Sequence, residues 1–300
     1  MTLKLILVIT LCTPDLQGTL QAYEHTLDYT MAGQGRVSLE LSREWHAPNM
    51  NGHEYVLLRP ASAADVYLRF IQAEAATGYR PMSTFGWNAI EMMVQDPDAL
   101  ADRLRVPGSG FEVVGEPRPL GPGSAIRAMQ AVGPAREVLY LTKLPDTGDL
   151  PPARTFVDRP FILVLGNRRL ADARRFWSDV LGVHGSEPIQ ARMTVLNKAF
   201  GLDIETTHPL SVARLSPEYA IEMDQYPDEA QERQHEAGAL PPAVALVSFE
   251  TDSLQSVSKL LLAPPVRIDQ IPYRGRRAGT LRGPSGELIE LIENEPATRH

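Results

Sequence analysis

The chain holds one cysteine, Cys12, among 300 residues, so no intrachain disulfide can form and no CxxC metal or redox motif exists. Positive charge is the scarcer sign: 29 Lys and Arg face 37 Asp and Glu, a formal net charge of −8. Lacking a basic footprint, the chain is expected to bind neither nucleic acid nor an anionic membrane. The GxGxxG, P-loop, GxSxG and HExxH patterns are missing, which leaves nucleotide-dependent and serine-hydrolase readings without support. No apolar run approaches the ~18–20 residues of a membrane-spanning helix. The apolar stretch from Leu3 to Leu11 carries one lysine and is followed by no small-residue cleavage site. It reads as a buried first strand rather than a signal peptide, and a cytoplasmic protein is the expectation.

What is present is a core and a repeat. Apolar residues make up 43% of the chain, and its length suits two domains. Pro145-Asp146-Thr147-Gly148-Asp149-Leu150-Pro151-Pro152 is polar, proline-rich and aperiodic, a linker that halves the chain. The halves then end alike. Gly133-Pro134-Ala135-Arg136-Glu137-Val138-Leu139-Tyr140-Leu141 and Gly283-Pro284-Ser285-Gly286-Glu287-Leu288-Ile289-Glu290-Leu291 share one pattern, 150 residues apart. In each, a Gly-Pro turn feeds an apolar strand. Asn88 to Val94 and Val244 to Phe249 are apolar strands, followed by Asp96-Pro97-Asp98 and Thr251-Asp252-Ser253, which serve as helix starts.

The quarters also open alike. Ile6-Leu7-Val8 precedes a helix expected from about Pro14 to Thr30. Ile162-Leu163-Val164 precedes a helix in which Leu170, Ala173, Phe176, Trp177, Val180 and Leu181 form one stripe before the Gly182 cap. Short strands follow each helix: Val37–Leu41, Glu54–Leu58 and Val66–Gln72 in the first quarter, and Phe111–Gly115, Ile126–Val132 and Glu137–Lys143 in the second. The third has Ala191–Asn197, Leu210–Leu215 and Tyr219–Asp224, and the fourth has Val266–Ile271, Arg277–Arg282 and Glu287–Glu293. Each quarter reads as strand, helix and three strands. The resulting class is α+β, with domains at 1–145 (modules about 1–75 and 84–145) and 157–294 (modules about 157–228 and 240–294), joined by a linker at 146–156.

Ile162-Leu163-Val164, the run Phe176-Trp177-Ser178-Asp179-Val180-Leu181-Gly182 and the 283–291 pattern resemble the glyoxalase, bleomycin-resistance and extradiol-dioxygenase group, the vicinal oxygen chelate superfamily. That resemblance implies four βαβββ modules, paired into two half-barrel sheets that each form a cup. It also implies a small-molecule substrate or ligand, and it leaves a homodimer open. The superfamily's metal site takes a His, Gln or Glu from the first strand of each paired module and a Glu from the last. Matching the repeat puts Arg69, Tyr140, Glu222 and Glu290 on the last strands, and Ala89 and Ala243 on two of the first. Residues 1–10 and 160–166 offer no His, Asp, Glu or Gln. No cofactor is therefore expected; a divalent ion (Fe, Mn, Zn or Ni), if held, would fall to Glu222, Glu290 and His208.

Strand alternation turns Tyr67 and Arg69 toward one cup, and Glu91 with Ala89 and Met93 toward the same one. A carboxylate on an inward face is costly unless paired. Arg69 and Tyr140 are the expected partners of Glu91. Such a cluster can transfer protons, with Glu91 as base, Tyr140 donating to a developing oxyanion and Arg69 anchoring an oxygen. The plainer reading is a buried structural salt bridge. Tyr67, Trp87, Asn88, Met93 and His208 complete the expected ligand-binding set, and His46 and His53 flank a loop that could overlie the first cup. The leading expectation is lyase or isomerase chemistry, without the usual metal, on a small oxygenated or aromatic metabolite. A non-catalytic binding protein of the bleomycin-resistance type and a metal-dependent extradiol dioxygenase are the alternatives.

Overall fold

In the computed structural model, which describes residues 3–121, 123–145 and 150–294, four modules follow one another along the chain. The first is β1 (Leu3–Thr13), α1 (Leu16–Leu27), β2 (Thr30–Arg36), α2 (Leu39–Glu44), β3 (Glu54–Arg59) and β4 (Tyr67–Gln72). The second is β5 (Gly86–Val94), α3 (Pro97–Leu104), β6 (Glu112–Pro119), β7 (Arg127–Val132) and β8 (Val138–Lys143). The third is β9 (Val157–Asn167), α4 (Leu170–Asp179), β10 (Ile189–Arg192), α5 (Thr194–Phe200), β11 (Thr207–Arg214) and β12 (Ala220–Gln225). The fourth is β13 (Ala243–Thr251), β14 (Val266–Arg267), β15 (Arg277–Arg282) and β16 (Leu288–Glu293), with only a 3-10 turn at Gln255–Val257 where a helix was expected. Residues 146–149 of the linker and His300 lie outside the described residues.

Local chemistry sets the boundaries of the main helices. Asp15 accepts the Gly18 N–H at 2.9 Å and opens α1, and Asp28, in the left-handed region at φ 57°, ends it. Asp96 caps α3 by accepting from Asp98 and Ala99 N–H groups. Two short helices replace expected strands. Ser38 accepts the Leu41 N–H and turns 39–44 into α2, and the Asn197 side chain donates to the Ile204 and Thr206 carbonyls and folds 194–200 back as α5.

The strands form two eight-stranded sheets, ordered β14-β15-β16-β13-β1-β4-β3-β2 and β10-β11-β12-β9-β5-β8-β7-β6. Module one therefore pairs with module four, and module two with module three. This corrects the expectation that each half of the chain closes its own cup. In both sheets the first strands of two modules join antiparallel, β1 with β13 and β5 with β9. All four first strands are apolar runs of similar length, so nothing local distinguishes one partner module from another. The two sheets adjoin through side chains that cross between them: Tyr23 of α1 donates to Glu137, just before β8, at 2.7 Å, and Trp87 of β5 donates to the Leu288 carbonyl of β16 at 2.9 Å.

One face of each sheet lies against the helices in a shared apolar core. Trp87 of the second sheet, Phe249 of the first and Trp177 of α4 meet there with ring centroids 5.8–6.1 Å apart. The other face of each sheet forms a cup. The repeated Gly-Pro turns are structural. A Cβ on Gly133 or Gly283 would come within 2.0 Å of a carboxylate oxygen of Glu137 or Glu287, the buried residue that closes each turn. Burial pushes both carboxyls up to about 7, against hydrogen bonds that favour the charged form.

Candidate functional site

Strand register defines one layer of equivalent residues in the two cups. Arg69 pairs with Thr10, Tyr140 with Glu91, Glu222 with Val164, and Glu290 with Ser248. The first-strand positions are thus Glu91 and Ser248, not Ala89 and Ala243. The first cup holds Thr10, Arg69, Ser248 and Glu290; the second holds Glu91, Tyr140, Val164 and Glu222. Module pairing therefore separates Arg69 from Glu91, which were expected together, and Glu290 from Glu222 and His208, which were expected to share a metal.

The first cup is filled by the chain itself. Trp45, at the end of α2, donates its indole N–H to Glu290 at 2.9 Å, and Tyr273, from the β14–β15 connection, reaches both Glu290 oxygens at 2.9 and 3.0 Å. Ser248 donates to the same carboxylate. Arg69 donates to the Tyr273 hydroxyl at 3.0 Å, with Trp45, Tyr55 and Tyr273 rings 5.2–5.8 Å from its guanidinium carbon. Glu44 of α2 is fully buried, and neither of its carboxyl oxygens has a hydrogen-bond partner. Burial, and then the Glu290 carboxylate, hold Glu44 well above the usual carboxylate range. Tyr67 is buried here, its hydroxyl donating to Asp65.

The second cup is open. A cavity of 440 Å³ is lined by Glu91, Tyr140, Thr142, Gln130 and Glu222 from the sheet, by Arg118 and Leu120 at one edge, and by Ile189, Arg192 and Val195 at the other. Helix α5 rims it, with Arg118 bonded to Thr194 and Lys198 reaching the Val114 carbonyl at 3.1 Å. Glu91 is 9% exposed and accepts one hydrogen bond, from Thr142 at 2.6 Å. Burial pushes its carboxyl up to about 7, with the Thr142 bond pulling the other way. Asp224 lies two residues beyond Glu222 on the same strand face and is 1% exposed; burial pushes it up to about 8. Glu222 is raised well above the usual range by burial, then by Asp224 and Glu91. Burial, then the same acids, raise the Tyr140 phenol.

The rest of the expected ligand-binding set lies away from this cavity. A bulge between Trp87 and Ala89 breaks the alternation and sends Trp87 into the shared core. Asn88 is a buried brace, donating to the Thr84 and Gly86 carbonyls and accepting from Arg233. Met93 is buried beside Thr142. His208 is held by Asn197 of α5 at 2.6 Å, and burial lowers its pKa. His53 bonds the Gln72 carbonyl at 2.7 Å, at the edge of the first sheet. Asp224 and Thr142 went unremarked in the sequence, although each sits two residues from a residue already assigned to the cup. Glu44, Trp45 and Tyr273 carry no such signal, because they belong to insertions between strands.

Solved structures share this architecture. Glyoxalase I from Zea mays is similar at 13% identity over 96% of this chain and 92% of its own, with a TM-score of 0.63. A proposed dioxygenase from Bacillus subtilis is similar at 12% identity over 100% of this chain and 88% of its own, also with a TM-score of 0.63. The chain has the vicinal oxygen chelate fold. No protein-family model and no curated protein sequence matches it. No helix among the described residues is long and apolar enough to cross a membrane.

That fold implies a metal held by first- and last-strand donors. In the open cup those positions give two carboxyls, one phenol and the aliphatic Val164. Among the described residues no three His, Cys, Asp or Glu side chains are grouped to hold an ion. This donor set does not fit the superfamily's metal site.

Proposed function

We propose that the second cup is the ligand site and that Glu91 moves a proton to and from a small, largely apolar oxygenated substrate there. The observation that carries this reading is Glu91 itself: a carboxyl facing an open cavity, raised to about 7 and beside the Tyr140 phenol. A general base works best when its pKa lies near the working pH. The ionised carboxylate would take a proton from the carbon next to a carbonyl. Tyr140 would donate a hydrogen bond to the enolate oxygen that forms, and the protonated Glu91 would return the proton to carbon. Lyase and isomerase reactions share this first step.

Deuterium exchange tests it. Phenylacetone in deuterated buffer is expected to exchange its α-protons faster with the protein than without, the rate rising with pH through about 7. Glu91→Gln is expected to cut the enzymic rate by about 10²–10⁴-fold. Equal exchange in the variant and the wild type would overturn the assignment. A second reading, sequestration without chemistry, draws on the mouth of the cup, where Leu120 and Ile189 are 57% and 60% exposed. It predicts that phenylacetone binds and does not exchange.

A further inference from the structure

We propose that the second cup selects a molecule bearing a protonated amine, bound by Glu222 with Asp224 behind it, while the body of the molecule lies on the apolar wall. This rests on the cup being the ligand site. The two cups differ at one decisive position. In the first, Arg69 stands on the last strand of one module and faces the acids Glu290 and Glu44, so the chain supplies its own counter-charge. In the second, the equivalent last-strand residue is Tyr140, which is neutral, and it faces Glu91, Glu222 and Asp224.

Among the described residues no cation pairs with any of those three acids. Asp224 is 1% exposed, and its Oδ1 has no hydrogen-bond partner. The two arginines that reach the cavity are engaged at its mouth, Arg118 with Thr194 and Arg192 with Glu205 at 2.8 Å. A buried acid cluster without a cation is costly. Mutual repulsion is part of what raises Glu222, and an arriving positive charge relieves it. An ammonium group suits the place, since it is compact and carries three donors. Glu222, Glu91 and the Tyr140 oxygen can each accept one. A carboxylate ligand would meet the same acid cluster and add to its repulsion. Beside the acids, Leu120, Ile189, Val195 and Leu210 give the cavity its apolar wall. The ligand class is therefore a small amine with an aromatic or branched aliphatic body, an aminoketone where the proton transfer proposed above is to follow.

The test is calorimetric titration at pH 8 with three probes of one shape: 2-phenylethylamine, 2-phenylethanol and 3-phenylpropionate. The amine is expected to bind at least tenfold more tightly than the alcohol, and the propionate not to bind. Glu222→Gln is expected to weaken the amine about tenfold and leave the alcohol within twofold. Asp224→Asn is expected to weaken the amine less. Near-ultraviolet circular dichroism of each variant, matched to the wild type, shows that the fold is kept. If the alcohol binds and the amine has no advantage, or Glu222→Gln leaves that advantage intact, the cation reading falls and the proton-transfer reading stands. Preferred binding of the propionate would overturn the cation reading as well. If no probe binds, the cup is not the ligand site and both readings fall.

Discussion

The two cups are built from the same parts, and one is plugged while the other is open. In each, one module carries a short helix between its second and third strands, α2 of module one in the first cup and α5 of module three in the second. Helix α2 ends in Glu44-Trp45, and both side chains go down into the cup to meet Glu290 and Arg69. Helix α5 stays at the rim, held to β6 by Lys198 and Arg118. Trp45 from one insertion and Tyr273 from another thus turn one half-barrel into core, where the other stays a cavity. The acids follow the same division. In the plugged cup Glu290 is satisfied by three donors, and in the open cup Glu222 and Asp224 face the cavity side of the sheet without a cation.

Removing the internal counter-charge is the harshest way to break this contrast. Arg69→Ala strips the cation from a cup that keeps two buried acids, and is expected to cost roughly 3–5 kcal/mol in urea unfolding. It should leave the deuterium exchange of the surviving folded protein unchanged. Trp45→Ala should cost about 3–5 kcal/mol as well, through lost burial and the cavity left behind. The contrast would then sharpen, because that cavity has the shape of the lost ring. Indole is expected to raise the melting temperature of Trp45→Ala and to leave the wild type unmoved.

Titration offers a smaller effect. Glu91, Glu137 and Glu287 sit at about 7 in the fold, raised from a usual 4.5, and Asp224 sits at about 8, raised from 3.8. Between the unfolded and folded values the native protein holds more protons than the unfolded chain. Stability therefore falls as pH rises through that window, by up to roughly 3 kcal/mol for each such Glu. Thermal unfolding is expected to show a higher midpoint at pH 5.5 than at pH 8, and Glu91→Gln should flatten the slope. A midpoint that climbs toward pH 8 would contradict the burial of these acids. The mildest change is Thr142→Val. It removes the hydrogen bond that favours ionised Glu91, worth about 1 kcal/mol, so the pH at which exchange switches on should move up by under about one unit.

The repeat was legible because it is local. Gly-Pro turns, capping residues and alternating strands announce themselves within a few positions; alternation aimed Glu91 into a cup, and matching the repeat did the same for Tyr140 and Glu222. The pairing of modules was not legible. Four apolar first strands carry no mark of which one joins which, so Arg69 was matched with Glu91 when it belongs with Glu290. Trp87 was misplaced by one residue of bulge. The plug escaped notice because Val37–Leu41 reads as strand, and only the Ser38 cap makes its second half helical. The acids of the open cup were half visible: Asp224 follows from Glu222 by the period of a strand, but its lack of a partner is a fact of the assembled sheet.

The measurement that tests the central claim most directly is the map of backbone amide shifts when 2-phenylethanol is added to the wild-type protein. The account predicts shifts confined to β5, β8, β12 and α5 around Glu91, Tyr140 and Glu222, with the signals of Trp45, Tyr273 and α2 unmoved. Shifts centred on Trp45 and Tyr273, with the second cup silent, would contradict it and place the ligand site in the plugged cup.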